Sequence, residues 1–151
     1  MPLWLDSLNR FACSLPSPTA DTARLVAEVG RPNVGILYDT HHANIEDPDI
    51  AATIHTHAHA INHVHLSESH RGTPGRGQVD WETTIQALSS ARYGGSCVVE
   101  AFGTAVPELI PLVKVWRRCF DTEMGLAREA HAFLTPMLAA AKLDGSQARA
   151  A

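Results

Sequence analysis

No apolar run among the 151 residues approaches the roughly 18 needed to cross a bilayer, and the N-terminus has no charged stretch leading into an apolar one. Neither a membrane span nor secretion is therefore expected. Basic charge is scarce: 12 Lys and Arg stand against 16 Asp and Glu, for a formal charge of −4. That balance offers no footprint for nucleic acid and no polybasic anchor for a membrane surface. Cysteine is sparse as well. Cys13, Cys97 and Cys119 are odd in number and widely spaced, with no CxxC pair, which fits reduced thiols in a cytosolic protein better than a disulfide framework. Gly72, Gly75 and Gly77 lack the spacing and the following Lys-Ser/Thr of a phosphate-cradling loop, so they are expected only to let a loop turn.

What is present is an alternation of short apolar runs and amphipathic segments. "PLWLDSL" leads through a Pro/Ser loop to a helix near 20–29, with Leu25, Val26 and Val29 on one face. "VGILYD" precedes a helix that Asp47 and Pro48 are expected to open, with Ile50, Ile54 and Ala58 at helical spacing. "INHVHL" is followed by a Gly-rich loop and a helix capped by Asp80, with Trp81, Ile85 and Leu88 inward. After "SCVVEAF" come helices expected at 105–119 and 122–142, the latter with Met124, Ala127, Ala130, Leu134 and Leu138 on one stripe. Short runs joined by helical crossovers predict parallel strands, and their near-continuous hydrophobicity predicts burial on both faces. The expected class is α/β of the (β/α)-barrel type: about four βα units, half of a TIM barrel, plus a C-terminal helix. Residues 1–142 form this domain, and 143–151 are expected to be a flexible tail.

Each apolar run ends in a residue able to bind a metal: Asp6, Asp39, His65 and Glu100. They recur at roughly the length of one βα unit. In a parallel sheet or barrel, strand C-termini share one rim, where sites are built. A lone strand-end Asp is ordinarily a helix cap, and a lone His a hydrogen-bonded core residue. Four in succession point to a shared site. Three carboxylates and one imidazole make an oxygen-rich set suited to Mn²⁺, with Co²⁺ or Mg²⁺ as alternatives. Such an ion polarises a carbonyl and stabilises the enediolate left when an α-proton departs, the chemistry of ketose isomerisation and epimerisation.

"LNRF", "DTHHANIED", "HVHLSESHRG…G…DW" and "VVEAFG" together resemble the sugar isomerase/epimerase superfamily with a xylose isomerase-like barrel, and within it the ketose 3-epimerases. The resemblance implies a metal-dependent enzyme acting on a small sugar, with Asp6, Asp39, His65 and Glu100 as metal ligands. It makes Glu100 and Asp6 the acid/base pair, and has His42 and Arg71 contact the sugar. Two departures accompany it: Asp6 replaces a Glu one methylene longer, and Ala12 stands where the family usually carries a second Glu. The alternative expectation is therefore an inactive barrel remnant that binds metal or sugar without turnover. The eight-unit family barrel also implies that four units leave strand edges to be covered by a second copy or another partner.

Other polar residues receive plainer expectations. His55, His57 and His59 lie at spacings that do not share a helical face, so they should not chelate jointly. His63 should face the same side as His65. Glu68, Ser69 and His70 are expected to be solvent-facing loop residues; His41 stands where the resemblance implies an aromatic or apolar residue, and is expected to widen or polarise the pocket.

Overall fold

The computed structural model describes residues 1–143, so the expected tail lies, apart from Leu143, outside the described residues. Four parallel strands form one sheet in the order β1 (Leu3–Asp6), β2 (Val34–Asp39), β3 (Ile61–Ser67), β4 (Ser96–Glu100). Between them run α1 (Thr19–Val29), then α2 (Thr40–Glu46) and α3 (Ile50–His57), then α4 (Trp81–Ser90). Beyond β4 come a 3₁₀ turn (Pro107–Leu109), the short α5 (Ile110–Val113) and the long α6 (Glu123–Ala140). Sequential strands are neighbours throughout, as expected for successive βα units. Among the described residues no helix is long and apolar enough to cross a membrane.

The core lies on one side of the sheet. Alternation sends Ile36, Tyr38, Val64 and Leu66 toward the helices, where they are fully buried with Ile54, Ile85 and Leu88. The opposite face carries Trp4, His63 and Val98. Trp4 and His63 stack there, with ring centroids 4.7 Å apart and planes 5° from parallel. Burial on both faces, expected for every strand, fails for the outer two: Leu3, Trp4, Val98 and Val99 are exposed. The reason is topological, because β1 and β4 each have one unpaired edge and less cover than the central strands.

Several helix expectations change. α3 begins at Ile50, because Asp49 supplies the cap and accepts from the Ala52 amide at 2.9 Å. Asp47 instead ties α1 to this junction, accepting from the Thr19 hydroxyl at 2.6 Å and its amide at 3.2 Å. The helix expected at 105–119 shrinks to Pro107–Val113, ending where Lys114 turns left-handed. Its apolar residues find little to pack on, and Leu112 remains 73% exposed. On α6 the buried stripe is Leu126, Ala130 and Leu134, whereas Met124 and Ala127 face solvent. Alanine is too small to decide which face turns inward, and Leu126 and Leu134, two helical turns apart on one face, decide it. On α1, Val29 is exposed, and the inward face is Thr19, Thr22 and Val26.

Candidate metal and substrate site

The C-terminal ends of all four strands meet at one rim. Ligating atoms of Asp39, His65 and Glu100 all lie within 4.8 Å of one another, and a second such triad joins Asp6, Asp39 and His42. Asp39, almost fully buried, is common to both. Its Oδ1 caps α2 by accepting from the His41 amide at 2.7 Å, and its Oδ2 faces the site. α2 was not foreseen. It is only seven residues long, and the carboxylate that starts it also reads as a ligand.

Arg71 reaches into this cluster from the loop after β3. Its Nη1 donates to Asp39 Oδ2 and to Ser67 Oγ, each at 2.9 Å, and to Glu100 Oε2. Its backbone sits in the left-handed region at φ 63°, uncommon for a residue with a β-carbon and held here by its surroundings. Those surroundings centre on Glu68. Expected at the surface, this side chain is completely buried. It accepts from the amides of Ser69 (2.8 Å), Gly75 (2.8 Å) and Val79 (3.2 Å) and from Trp81 Nε1 (3.0 Å). Burial alone would raise its pKa, but the four donors hold it below the ordinary carboxylate value. A β-carbon on Gly77 would lie 2.3 Å from Glu68 Oε1, so that glycine is what lets the loop close over the carboxylate.

Asn9, within "LNRF", organises the other wall. Its backbone amide donates to His42 Nδ1 at 3.0 Å, and its side-chain amide lies 2.8 Å from the same nitrogen and 3.3 Å from His41 Nε2. His41 Nδ1 faces the carbonyl oxygens of Ser69 (3.0 Å) and Glu68 (3.2 Å), which fixes its proton there. Reasoning from the sequence assigned no role to Asn9. The one signal was its place in a motif directly after a strand-end carboxylate.

Electrostatics separate the carboxylates. Burial, reinforced by Asp39, pushes Asp6 up to about 7. Burial, together with the hydrogen-bonded Asp39, pushes Glu100 up to about 8. Burial would also raise Asp39, but Arg71 and Glu100 leave it below its usual value. His42 is pushed down to about 4, and His65 is lowered, chiefly by burial in each case, so both rings are neutral at pH 7. Among the buried polar atoms without a hydrogen-bond partner are Asp6 Oδ1 and His65 Nδ1. His65 Nδ1 lies 3.2 Å from Glu100 Oε1 and 3.8 Å from Asp39 Oδ2. The two orphaned atoms fall in different triads that share Asp39: His65 Nδ1, with Asp39 and Glu100, offers the donor set of a divalent cation, and Asp6 Oδ1 lies in the neighbouring triad.

A cavity of about 840 Å³ opens beside the cluster, walled by Asp6, Ala12, His41, Phe102, Leu112 and Trp116 among others. It is of the size that holds a small molecule. His55, by contrast, faces outward near Ser90 Oγ at 3.0 Å.

Residues 1–136 match the family described as xylose isomerase-like TIM barrel. The chain is 36% identical over 140 residues to the ketose 3-epimerase of Arthrobacter globiformis, covering 91% of this chain and 48% of that protein. It is 36% identical over 132 residues to the D-psicose 3-epimerase of Ruminiclostridium cellulolyticum, covering 86% and 45%. Among solved structures, an L-ribulose 3-epimerase superposes with a TM-score of 0.89 at 30% identity, over 98% of this chain and 50% of that one. The chain thus spans about half the length of the curated relatives it matches.

Proposed function

The chain belongs to the xylose isomerase-like TIM-barrel family, and from that premise we propose that it is a metal-dependent sugar epimerase or isomerase acting on a ketose. The observation that carries this reading is the orphaned His65 Nδ1 in the Asp39–His65–Glu100 triad, beside a second triad in which Asp6, with its own orphaned Oδ1, shares Asp39. Asp6, Asp39, His65 and Glu100 would hold the ion, with Mn²⁺ the first choice and Co²⁺ or Mg²⁺ the alternatives. When bound, that ion supplies a Lewis acid for the substrate's carbonyl oxygen.

The chain's own groups do the rest. Glu100 and Asp6 stand on the two outer strands, so a ketose between them meets a carboxylate from either side. One removes the proton next to the carbonyl, leaving an enediolate. The other returns a proton to the opposite face and inverts the carbon. Burial favours the protonated form of both groups, up to about 7 and about 8 in the ion-free protein, and so offsets the lowering that a bound cation would bring. His42 accepts at Nδ1 from Asn9, so its Nε2 carries the proton and can donate to a sugar oxygen, and Arg71 offers a second donor. The three free thiols support a cytoplasmic setting. The open edges of β1 and β4 support pairing with a second copy, the β4 of each chain beside the β1 of the other.

The test is solvent exchange. With Mn²⁺ or Co²⁺ and a panel of ketohexoses and ketopentoses in D₂O, deuterium should enter at the carbon next to the carbonyl and the epimer should accumulate. Absence of exchange with every sugar overturns the catalytic reading. Ala12, a methyl in the cavity wall, favours the second reading of a binding remnant. That reading expects metal-dependent thermal stabilisation with no exchange.

A further inference from the structure

Arg71 occupies the ground a divalent ion would need. Its Nη1 lies within hydrogen-bond distance of carboxylate oxygens of Asp39 and Glu100, two members of the Asp39–His65–Glu100 triad, and of Ser67 Oγ. Charge explains the attraction, because without a cation the buried Asp39 carboxylate would have only a neutral imidazole and the raised Glu100 carboxyl group beside it. The fit is nevertheless incomplete. Nη2 lies 2.7 Å from His42 Nε2. Since His42 Nδ1 accepts from the backbone amide of Asn9, which can only donate, the neutral ring carries its proton on Nε2. Two donors therefore face each other, and the guanidinium rests there with one side unsatisfied. A way out exists: its central carbon is 5.0 Å from the centroid of Phe102, whose ring lines the cavity. The Arg71 main chain is pinned by its carbonyl, which accepts from the Phe102 amide at 2.8 Å, so the side chain can swing while the loop stays.

We infer that Arg71 is a built-in occupant of the cation seat, and that an arriving divalent ion and the guanidinium exchange places, the ion taking Asp39 and Glu100 while Arg71 moves across Phe102 into the cavity. The inference rests on the metal site proposed above. It adds an order to events: ion loading is what delivers Arg71 to the sugar. It relieves the Arg71–His42 donor conflict and frees His42 Nε2 to donate to the same ligand. By linkage, a ligand that draws Arg71 into the cavity tightens ion binding by the factor by which the ion tightens that ligand.

The test measures Mn²⁺ affinity of the whole chain by the electron paramagnetic resonance of free Mn²⁺, without reference to turnover. Arg71→Met should bind Mn²⁺ at least tenfold more tightly than the wild type, because a competing charge-assisted contact is gone. In Arg71→Ala, millimolar methylguanidinium should weaken Mn²⁺ binding competitively, while tetramethylammonium at the same concentration should not, which separates occupation of the seat from general repulsion. Equal affinity in wild type and Arg71→Met, or no effect of methylguanidinium, overturns the exchange and leaves the metal site standing. Absence of Mn²⁺ binding in wild type and variants alike overturns the metal site itself, and the exchange with it. Should the variants fail to fold by circular dichroism, the wild type decides. On titration with Mg²⁺, the Arg71 Nε–H signal should shift and exchange faster with solvent, and a signal unchanged at saturating Mg²⁺ overturns the exchange.

Discussion

Replacing Glu68 with Gln removes one charge and almost no volume, yet it should be among the most damaging single changes in the chain. The carboxylate divides its work evenly: Oε1 accepts from the Ser69 and Val79 amides, Oε2 from the Gly75 amide and Trp81 Nε1. A glutamine offers one oxygen and one NH₂ group. Whichever way it turns, the NH₂ meets two donors, so two bonds are lost and two buried N–H groups are left facing a third. A hydrogen bond to a charged group contributes about 1.5–3 kcal/mol, and an unsatisfied buried donor costs about 1–3 kcal/mol. These effects overlap at one side chain, and loop relaxation recovers part, so the expected loss is about 2–4 kcal/mol. Against a total stability of about 5–15 kcal/mol for a domain, that is a large share.

The assay is urea denaturation of wild type and Glu68→Gln at several pH values. The sign follows from the direction of the shift: the folded-state value is lowered, so the charge contributes stability above the ordinary Glu value and loses it as pH falls through the folded one. The gap between the two proteins should thus be full at pH 7 and narrow below about pH 4.5. A gap under about 0.5 kcal/mol at pH 7, the range of ordinary surface substitutions, refutes the clamp. So does a gap of the same size at pH 4 and pH 7.

Gly77→Ala should destabilise by about 1–3 kcal/mol, read by the same denaturation, because its β-carbon would press on Glu68 Oε1. A neutral result would show that the loop yields there. Metal-induced thermal stabilisation should grow with pH, because Asp6 and Glu100, pushed up to about 7 and about 8, must each give up a proton to bind an ion. Their raised values mean that the ion-free fold keeps its full stability only below the ordinary carboxylate range and loses it as pH rises through 7 and 8. Affinity should therefore climb by up to about tenfold per pH unit for each proton displaced, then level off above about pH 8. A Co²⁺-induced shift in Tm that is flat from pH 5.5 to 8.5 would contradict this. Finally, light scattering after size exclusion should give twice the chain mass, and a cooperatively melting monomer would rule out edge pairing between copies.

The central fold was legible because its signals are redundant. In β2 and β3 an apolar run, the residues flanking it and a strand-end polar residue all agree, and the Asp80 cap sits directly before Trp81. Legibility failed where a segment depends on a partner distant in sequence. The apolar spacing of 105–119 is adequate for a helix, but Leu112 and Trp116 remain exposed, and periodicity cannot report the absence of a packing surface. Glu68 failed for a related reason. An acidic residue in a Gly-rich loop reads as solvent-facing unless its four donors, at positions 69, 75, 79 and 81, are seen converging on it.

At Asp39 the sequence presents a choice that the structure removes. A strand-end aspartate can be taken as a helix cap or as a metal ligand, as though one use excluded the other. Here Oδ1 accepts from the His41 amide, and that bond turns Oδ2 toward His65, Glu100 and Arg71. Capping is thus the means by which the potential ligand is aimed, and the helix it starts carries His41 and His42 to the same rim. Removing the cap would therefore disturb the site even if the carboxylate were restored elsewhere. At this rim the residues that begin an element are also the ones that face the cavity, so local folding and site geometry are fixed by the same hydrogen bonds.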